Sequence, residues 1–435
     1  MLITLIDPLL DYRQHCLSET LGLMSLGAVL RDAGHAVLLA STGMGEGLDA
    51  LDDQVLADSD FIGISSTSAL FGHAQRVLAH VREVAPEVPV VLGGAHATVS
   101  TEHALGAGFD FAFLGESDRT VLEFCENLRV GTPELTRGIA FLTEDGAVIR
   151  TPEQPLVDDL DTLPFPAREM FDYETYLARG GWEFGILSSR GCPFRCTFCQ
   201  PTLDLIFGGL RKRGPENVAE ELAQLYAAYA PPIIYFKDDT LSANGLAWFA
   251  RFREALSERG VAPRWKCNTR VDKVGPRILD AMQECGCEEV VFGVESGSQR
   301  ILDFYQKDIQ VEDTVRAFSL CKERGIIAGA NLILGAPMET AEEMEQTVDL
   351  VKRIDPDHYW VFFCTALPGK ALTRYVVEHN LLKRNLGYHY YDTAMNGVVG
   401  EANIVLENVT LDEMVSMRDR ILSLKDNRQR ALTAK

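Results

Sequence analysis

Twice along this 435-residue chain, short apolar runs alternate with stretches whose apolar residues recur at helical spacing, and that rhythm leaves few folds open. In the first series the runs fall at residues 2–6, 36–40, 61–65, 90–92 and 111–114. Between them Leu23, Leu26, Leu30 and Ala33 share a helical face with Gly34 as its stop. Ala74, Val77, Leu78 and Val81 share another, with Pro86 beyond its end. Continuous apolar strands joined by helices imply a parallel sheet covered on both sides. Residues 1–135 are therefore expected to form a doubly wound α/β domain of flavodoxin or Rossmann type.

The second series begins near residue 181. Strands are expected near 184–188, 232–237, 264–269, 288–294, 327–334 and 359–364, with helices over 216–229, 275–285, 311–324 and 340–353. Six βα units make a partial (β/α)6 barrel over 181–370. Residues 136–180 read as a connector in which Pro164 and Pro166 deny helix. Residues 371–435 read as a small C-terminal, substrate-side extension, more polar and carrying Tyr375, Tyr388, Tyr390 and Tyr391.

The first strand of the second series runs into Cys192, Cys196 and Cys199, spaced C-x3-C-x2-C. Iron–sulfur clusters are held by cysteine thiolates, usually four. Three ligands on one loop leave one iron of a 4Fe–4S cluster open to a small molecule. A zinc site would need a fourth Cys or His at metal spacing, and none lies close in sequence. Cys267, Cys285, Cys287, Cys321 and Cys364 are dispersed and read as buried free thiols, not a second cluster.

In both architectures ligands collect at the carboxyl ends of the strands. The first series places Ser65-Ser66-Thr67, Gly93-Gly94-Ala95-His96 and Gly115-Glu116 there, small and glycine-rich as a close backbone approach requires. No G-x-G-x-x-G follows the first strand, which counts against a dinucleotide. In the second series Asp238 and Asp239 can accept hydrogen bonds from an ammonium group, or cap a helix. Arg270 suits bidentate recognition of a carboxylate. Glu295, Ser296, Asn331 and Leu334 end the fourth and fifth strands, and Phe198 stands beside Cys199, free to shield a cluster or pack as an ordinary loop residue. Lys370, past the sixth strand, is a candidate substrate contact.

The cysteine motif resembles that of the radical S-adenosylmethionine (SAM) superfamily. The Gly93-Gly94-Ala95-His96 and Gly115-Glu116 strings, the Leu160-to-Pro166 connector, Asp238-Asp239, Gly293-to-Ser298 and Ala366-to-Lys370 resemble its cobalamin-binding subclass. The D-x-H-x-x-G signature that would supply an axial histidine is absent, Met338 stands where a glycine is usual, and Ala366 and Lys370 replace the usual Pro and Thr. The resemblance implies a 4Fe–4S cluster on Cys192, Cys196 and Cys199. It also implies SAM bound to the open iron, with its ammonium near Asp238 or Asp239, its carboxylate near Arg270, ribose or amino contacts from Glu295, and adenine flanked by the fifth strand. Cobalamin would be held by the first domain without a histidine on cobalt, between that sheet's carboxyl edge and the barrel mouth. The implied activity is methylation of an unactivated carbon of a small molecule, through a 5′-deoxyadenosyl radical and methylcobalamin. Rearrangement, cyclisation or oxidation without methyl transfer is the alternative, and a nonenzymatic cobalamin or redox sensor a more distant one. Methylthiotransferases carry three further cysteines in an N-terminal domain; only Cys16 and Cys125 occur here.

The bulk numbers set boundaries. A formal charge of −22 counts against a nucleic-acid partner, Arg211-Lys212-Arg213 notwithstanding. No apolar stretch is long enough for a membrane span, and the N-terminus reads as a strand, not a signal peptide. Ten cysteines without paired spacing fit a reducing, cytoplasmic setting. A low-potential donor of flavodoxin or ferredoxin type is the expected partner.

Overall fold

The computed structural model describes residues 1–9, 19–44, 47–200, 202–383 and 403–424. Cys16, Tyr388, Tyr390 and Tyr391 lie outside the described residues. The chain divides into two compact units, Met1–Gly181 with Thr202–Gly208, and Trp182–Pro201 with Gly209–Lys435.

The first unit is built on a seven-stranded sheet of β1 (Leu2–Asp7), β2 (Ala36–Ser41), β3 (Phe61–Ser65), β4 (Val90–Gly93), β5 (Phe111–Phe113), β6 (Ile139–Leu142) and β7 (Val148–Arg150), in the order β2-β1-β3-β4-β5-β6-β7. The first five strands pair in parallel, as their unbroken apolar runs require. The last two are antiparallel, so residues expected as the start of a connector instead extend the sheet as a hairpin. Its core joins Ile3, Leu5, Phe61, Val91 and Phe113 to Leu30, Val121 and Phe124 of the covering helices.

The second unit holds a six-stranded, wholly parallel half-barrel of β8 (Glu183–Ile186), β11 (Ile233–Phe236), β12 (Trp265–Arg270), β13 (Cys287–Glu295), β14 (Ile327–Leu334) and β15 (His358–Phe363), in the order β15-β14-β13-β12-β11-β8. A two-stranded ribbon of β9 (Ser189–Arg190) and β10 (Arg211–Lys212) follows β8. Helices Ala371–Glu378 and Leu411–Ser423 form the C-terminal extension. Strand alternation divides the barrel's side chains. Phe236, Trp265 and Cys267 turn outward, where Phe236 meets Phe252 and Trp265. Tyr235, Lys266, Asn268, Glu289, His358 and Trp360 hold the inward positions. Barrel interiors are ordinarily filled by branched apolar chains. Here Asn268 Nδ2 donates to the Tyr235 hydroxyl at 2.6 Å, and His358 Nε2 lies 2.8 Å from Glu289 Oε1.

Gly286 turns the chain into β13 with φ +98°, and a Cβ there would run into the Pro263 carbonyl oxygen. Gly286→Ala is expected to cost at least about 2 kcal/mol of stability. Gly22→Ala, in a helix with open space around it, should cost nothing. Urea denaturation midpoints of the two variants check this.

Candidate functional site

The cysteine loop leaves the barrel from a strand end organised by one carboxylate. Asp238 is almost wholly buried. Its Oδ2 accepts the Ser188 amide at 3.0 Å, and its Oδ1 accepts the hydroxyls of Ser188, at 2.7 Å, and Ser189. Burial pushes this carboxyl upward and those hydrogen bonds oppose the shift. Asp238 therefore builds the strand end. Asp239 remains solvent-accessible, and burial of its surroundings, then Asp238, pushes its carboxyl up while Lys370 opposes. The local helix cap is Thr240, not Asp239.

Gly191, at φ +84°, opens the loop, and distant segments pin it. The Thr197 amide donates to Tyr305 O (2.9 Å), while Ala371 and Leu372 amides donate to Gln200 O (2.8 Å) and Thr197 O (2.9 Å). Lys370 Nζ donates to Cys199 O at 2.7 Å, so its head group serves the loop, where a substrate contact was expected. Cys192 Sγ lies 3.9 Å from the Thr240 hydroxyl. Burial pushes all three thiols up, Cys199 to about 12, against the pull of Lys370 on Cys199 and of Lys307 and Arg270 on Cys196.

Arg270 is buried and engaged within the protein. Nε pairs with Asp272 at 2.8 Å, Nη1 donates to Cys196 Sγ at 3.5 Å, Nη2 donates to Lys307 O, and the guanidinium stacks 3.9 Å from the centre of the Phe194 ring. The expected carboxylate clamp thus finds its donors already placed, and Arg270 braces the loop. Glu295 is likewise buried, with Oε1 2.5 Å from Lys307 Nζ. Ser296 Oγ accepts the Ser298 amide at 3.1 Å and closes its own turn. Phe198 packs edge-on against Tyr305 at 5.2 Å. Asn331 is half-buried on the inward face of β14, whereas Leu334 lies on the other face and is wholly buried. Period-two alternation makes Ile333 the inward neighbour, which corrects the adenine-flanking assignment of Leu334. The turn after β14, with Met338 in place of glycine, is tied by Glu339 Oε2, which accepts the Gly335 and Ala336 amides at 2.6 and 3.1 Å. Arg211-Lys212-Arg213 forms no open basic patch: Lys212 Nζ donates to Ala243 O (2.7 Å) and Arg213 pairs with Glu221 (2.5 Å).

At the carboxyl edge of the first sheet, Gly94 has φ +90° and packs on the Ser66 backbone, where a Cβ would lie 2.8 Å from Ser66 O. Gly93 faces open space, with Ser65 half-buried and Thr67 exposed beside it. Ser66 Oγ donates to Thr67 O (2.8 Å) and Thr98 Oγ1 accepts the Gly115 amide (3.0 Å), so these hydroxyls shape the loops. Glu116 and Ala95 are half-buried. His96 differs from expectation. It is wholly buried, stacked on Phe71 at 3.9 Å, with Nδ1 3.0 Å from Ser68 Oγ and Nε2 3.2 Å from His103 Nδ1. It is a core residue and offers no ring nitrogen to a ligand.

The donor set fits the expected groups. Three cysteines on one loop, with Arg270 against Cys196 Sγ and Lys370 on Cys199 O, suit a cluster with one open iron. Among the described residues no three His, Cys, Asp or Glu are gathered around a single metal ion. Gly93, facing open space at a parallel-sheet edge, suits the close approach of a large cofactor. Sequence reasoning missed Lys307, Phe194 and the inward row Tyr235, Lys266, Asn268, Glu289 and His358; only the period-two placement of polar residues within apolar strands could have signalled that row.

Comparison with known proteins agrees. The radical SAM superfamily model matches residues 186–351 and the B12 binding domain model residues 17–124. An uncharacterized methyltransferase of Pyrococcus horikoshii is 33% identical over 372 residues, 83% of this chain and 79% of that protein. An anaerobic magnesium-protoporphyrin IX monomethyl ester cyclase of Rubrivivax gelatinosus is 29% identical over 308 residues, 68% of this chain and 55% of that protein. The fold matches that of the radical SAM methyltransferase TsrM from Kitasatospora setae, a structure with cobalamin and a [4Fe-4S] cluster bound, at a TM-score of 0.74 and 20% identity over 94% of this chain and 82% of that one. The chain belongs to the cobalamin-dependent group of the radical SAM superfamily. Among the described residues no helix is long and apolar enough to cross a membrane.

Burial holds His96 neutral, lowering its pKa from about 6.5 to about 3. Between these values the unfolded chain binds the extra proton, so this histidine's contribution to stability falls as pH drops through that window. The stability advantage of wild type over His96→Gln should shrink between pH 7 and pH 4 in chemical denaturation. A pH-independent difference would show that the imidazole is not buried neutral.

Proposed function

We propose that this chain methylates an unactivated carbon of a small-molecule substrate. The observation that carries the reading is the three-cysteine loop, fixed at the carboxyl end of a half-barrel, in a chain that also carries a B12-binding domain. Cys192, Cys196 and Cys199 would hold the 4Fe–4S cluster. The loops at Ser65–Thr67, Gly93–Ala95 and Gly115–Glu116 would hold cobalamin. When bound, the cluster supplies the electron that cleaves SAM, and cobalamin supplies the methyl group.

The protein's own residues bind, orient and exclude water. Asp239 would face the SAM ammonium, Asn331 and Ile333 would line its nucleoside, and Phe198 would cover the cysteine loop. Asp238 and Arg270 support the loop from beneath and do not touch the cofactor in this reading. The inward row of Tyr235, Asn268 and Trp360 offers ring faces and polar atoms to the substrate. Residues 1–135 would bind cobalamin, 181–370 would carry the radical chemistry, and the extension from 371 would complete the substrate side. A flavodoxin- or ferredoxin-type donor in a reducing, cytoplasmic setting fits nine free cysteines among the described residues. Cyclisation without methyl transfer is the second reading, favoured by the cyclase relative.

Anaerobically reconstituted protein should bind one cluster per chain, and the Cys192→Ala/Cys196→Ala/Cys199→Ala variant should lose its iron. Full iron content in that variant would overturn the ligand assignment. In turnover mixtures with candidate substrates, mass spectrometry should find methylated product with both S-adenosylhomocysteine and 5′-deoxyadenosine. Transformed but unmethylated product would establish the second reading.

A further inference from the structure

Three cations converge on the cysteine loop of a chain whose net charge is −22. Arg270 ends β12, and Lys370 stands at the N-cap of the helix Ala371–Glu378. The third, Lys307, follows the short helix Gln299–Phe304 and belongs to no motif noted above. Its side chain is 6% exposed, and that of its partner Glu295 is 7%. Lys307 Nζ also lies 5.7 Å from the centre of the Phe198 ring, and its carbonyl receives Arg270 Nη2. One residue thus touches the ring beside Cys199 and the guanidinium that meets Cys196.

The backbone around the pair is strained. Glu295 has φ +63°, and Lys307 is bracketed by Gln306 at +50° and Asp308 at +53°. Non-glycine residues hold such angles only where their surroundings over-determine them, and such strain clusters at functional sites. The ladder between β13 and β14 slips between Gly293 and Glu295. A Cβ at Gly293 would lie 2.5 Å from Glu295 Oε1 and 2.6 Å from Lys307 Nζ, so the glycine leaves room for both head groups against the strand. Burying two charges brings little net stability over apolar packing, so stability alone does not account for the arrangement. The ammonium lies on the side of the Phe198 ring, next in sequence to Cys199, and its residue's carbonyl holds the guanidinium that meets Cys196.

We propose that Lys307 is a positioning residue that sets the charge around the cluster: its buried ammonium, fixed by Glu295 beside the cysteine loop, favours the reduced cluster and raises its potential. This rests on the cluster assignment above. Reduction passes one electron from a low-potential donor to the cluster and moves no proton. The cluster becomes more negative by one charge, and in a dry site a fixed cation stabilises that state.

The test is an EPR-monitored redox titration of reconstituted protein, without SAM, using dithionite and mediators. Lys307→Met should move the reduced-to-oxidised ratio at fixed potential about tenfold toward oxidised, ~59 mV downward for one electron. Glu295→Gln, which keeps the cation and removes its counter-charge, should move it upward. Lys307→Arg should stay within about threefold of wild type, since it retains the charge. A loop that had merely loosened would not give opposite signs. Potentials that are unchanged, or that shift in the same direction in both neutralising variants, overturn the proposal. If Lys307→Met does not fold or hold iron, Glu295→Gln decides alone: an unchanged or lower potential refutes the inference. A wild-type protein without a cluster would refute the earlier assignment instead, so the two failures are separable.

Discussion

A buried carboxylate fixes where the cysteine loop begins. Asp238 takes both the amide and hydroxyl of Ser188 and the hydroxyl of Ser189, tying the end of β8 to the end of β11. Without it, polar groups at the floor of the site would lose their partners, and an unsatisfied buried donor typically costs about 1–3 kcal/mol. From this point the chain turns at Gly191 into the loop, which is then held by Tyr305 O, by the amides of Ala371 and Leu372, and by Lys370. A short irregular loop is thereby positioned by the parallel sheet around it, as a site of fixed geometry requires.

The charges around this loop work against the chain's overall balance. Arg270, Lys307 and Lys370 supply local positive potential within a strongly acidic protein. Iron binding needs thiolates, and burial alone opposes them. The cations offset part of that penalty, and the iron supplies the rest when bound. At the edge of the other unit's sheet the solution is different. There the loops offer backbone and small hydroxyls, and the one histidine in the glycine loop is turned into the core beside Phe71 and His103.

Most of the architecture was legible in the sequence because buried parallel strands announce themselves as unbroken apolar runs. The hairpin of β6 and β7 was not: β6 is a short apolar run, but β7 is three residues with two exposed positions, and no helix separates the pair to continue the βα rhythm. The cysteine spacing located the loop outright. Its neighbours were harder to assign. Asp238 and Asp239 are adjacent and chemically alike, and only the fold decides which one is buried. Leu334 and Ile333 exchange roles with a one-residue change of face. Arg270 was found as a strand-end arginine, but its partners come from Phe194, Asp272 and Lys307, which no local pattern links. His96 was read as a ligand-loop residue because its string is glycine-rich, whereas the short helix Ala95–Val99 turns it inward.

The central claim is that three cysteines leave one iron open for SAM. The most direct measurement is electron–nuclear double resonance of the reduced cluster with SAM labelled with 15N at the amino group and 17O at the carboxylate. The account predicts hyperfine coupling from both labels, as expected when the amino acid end binds iron. A reduced cluster whose spectrum is unchanged by SAM and shows no coupling to either label would contradict it.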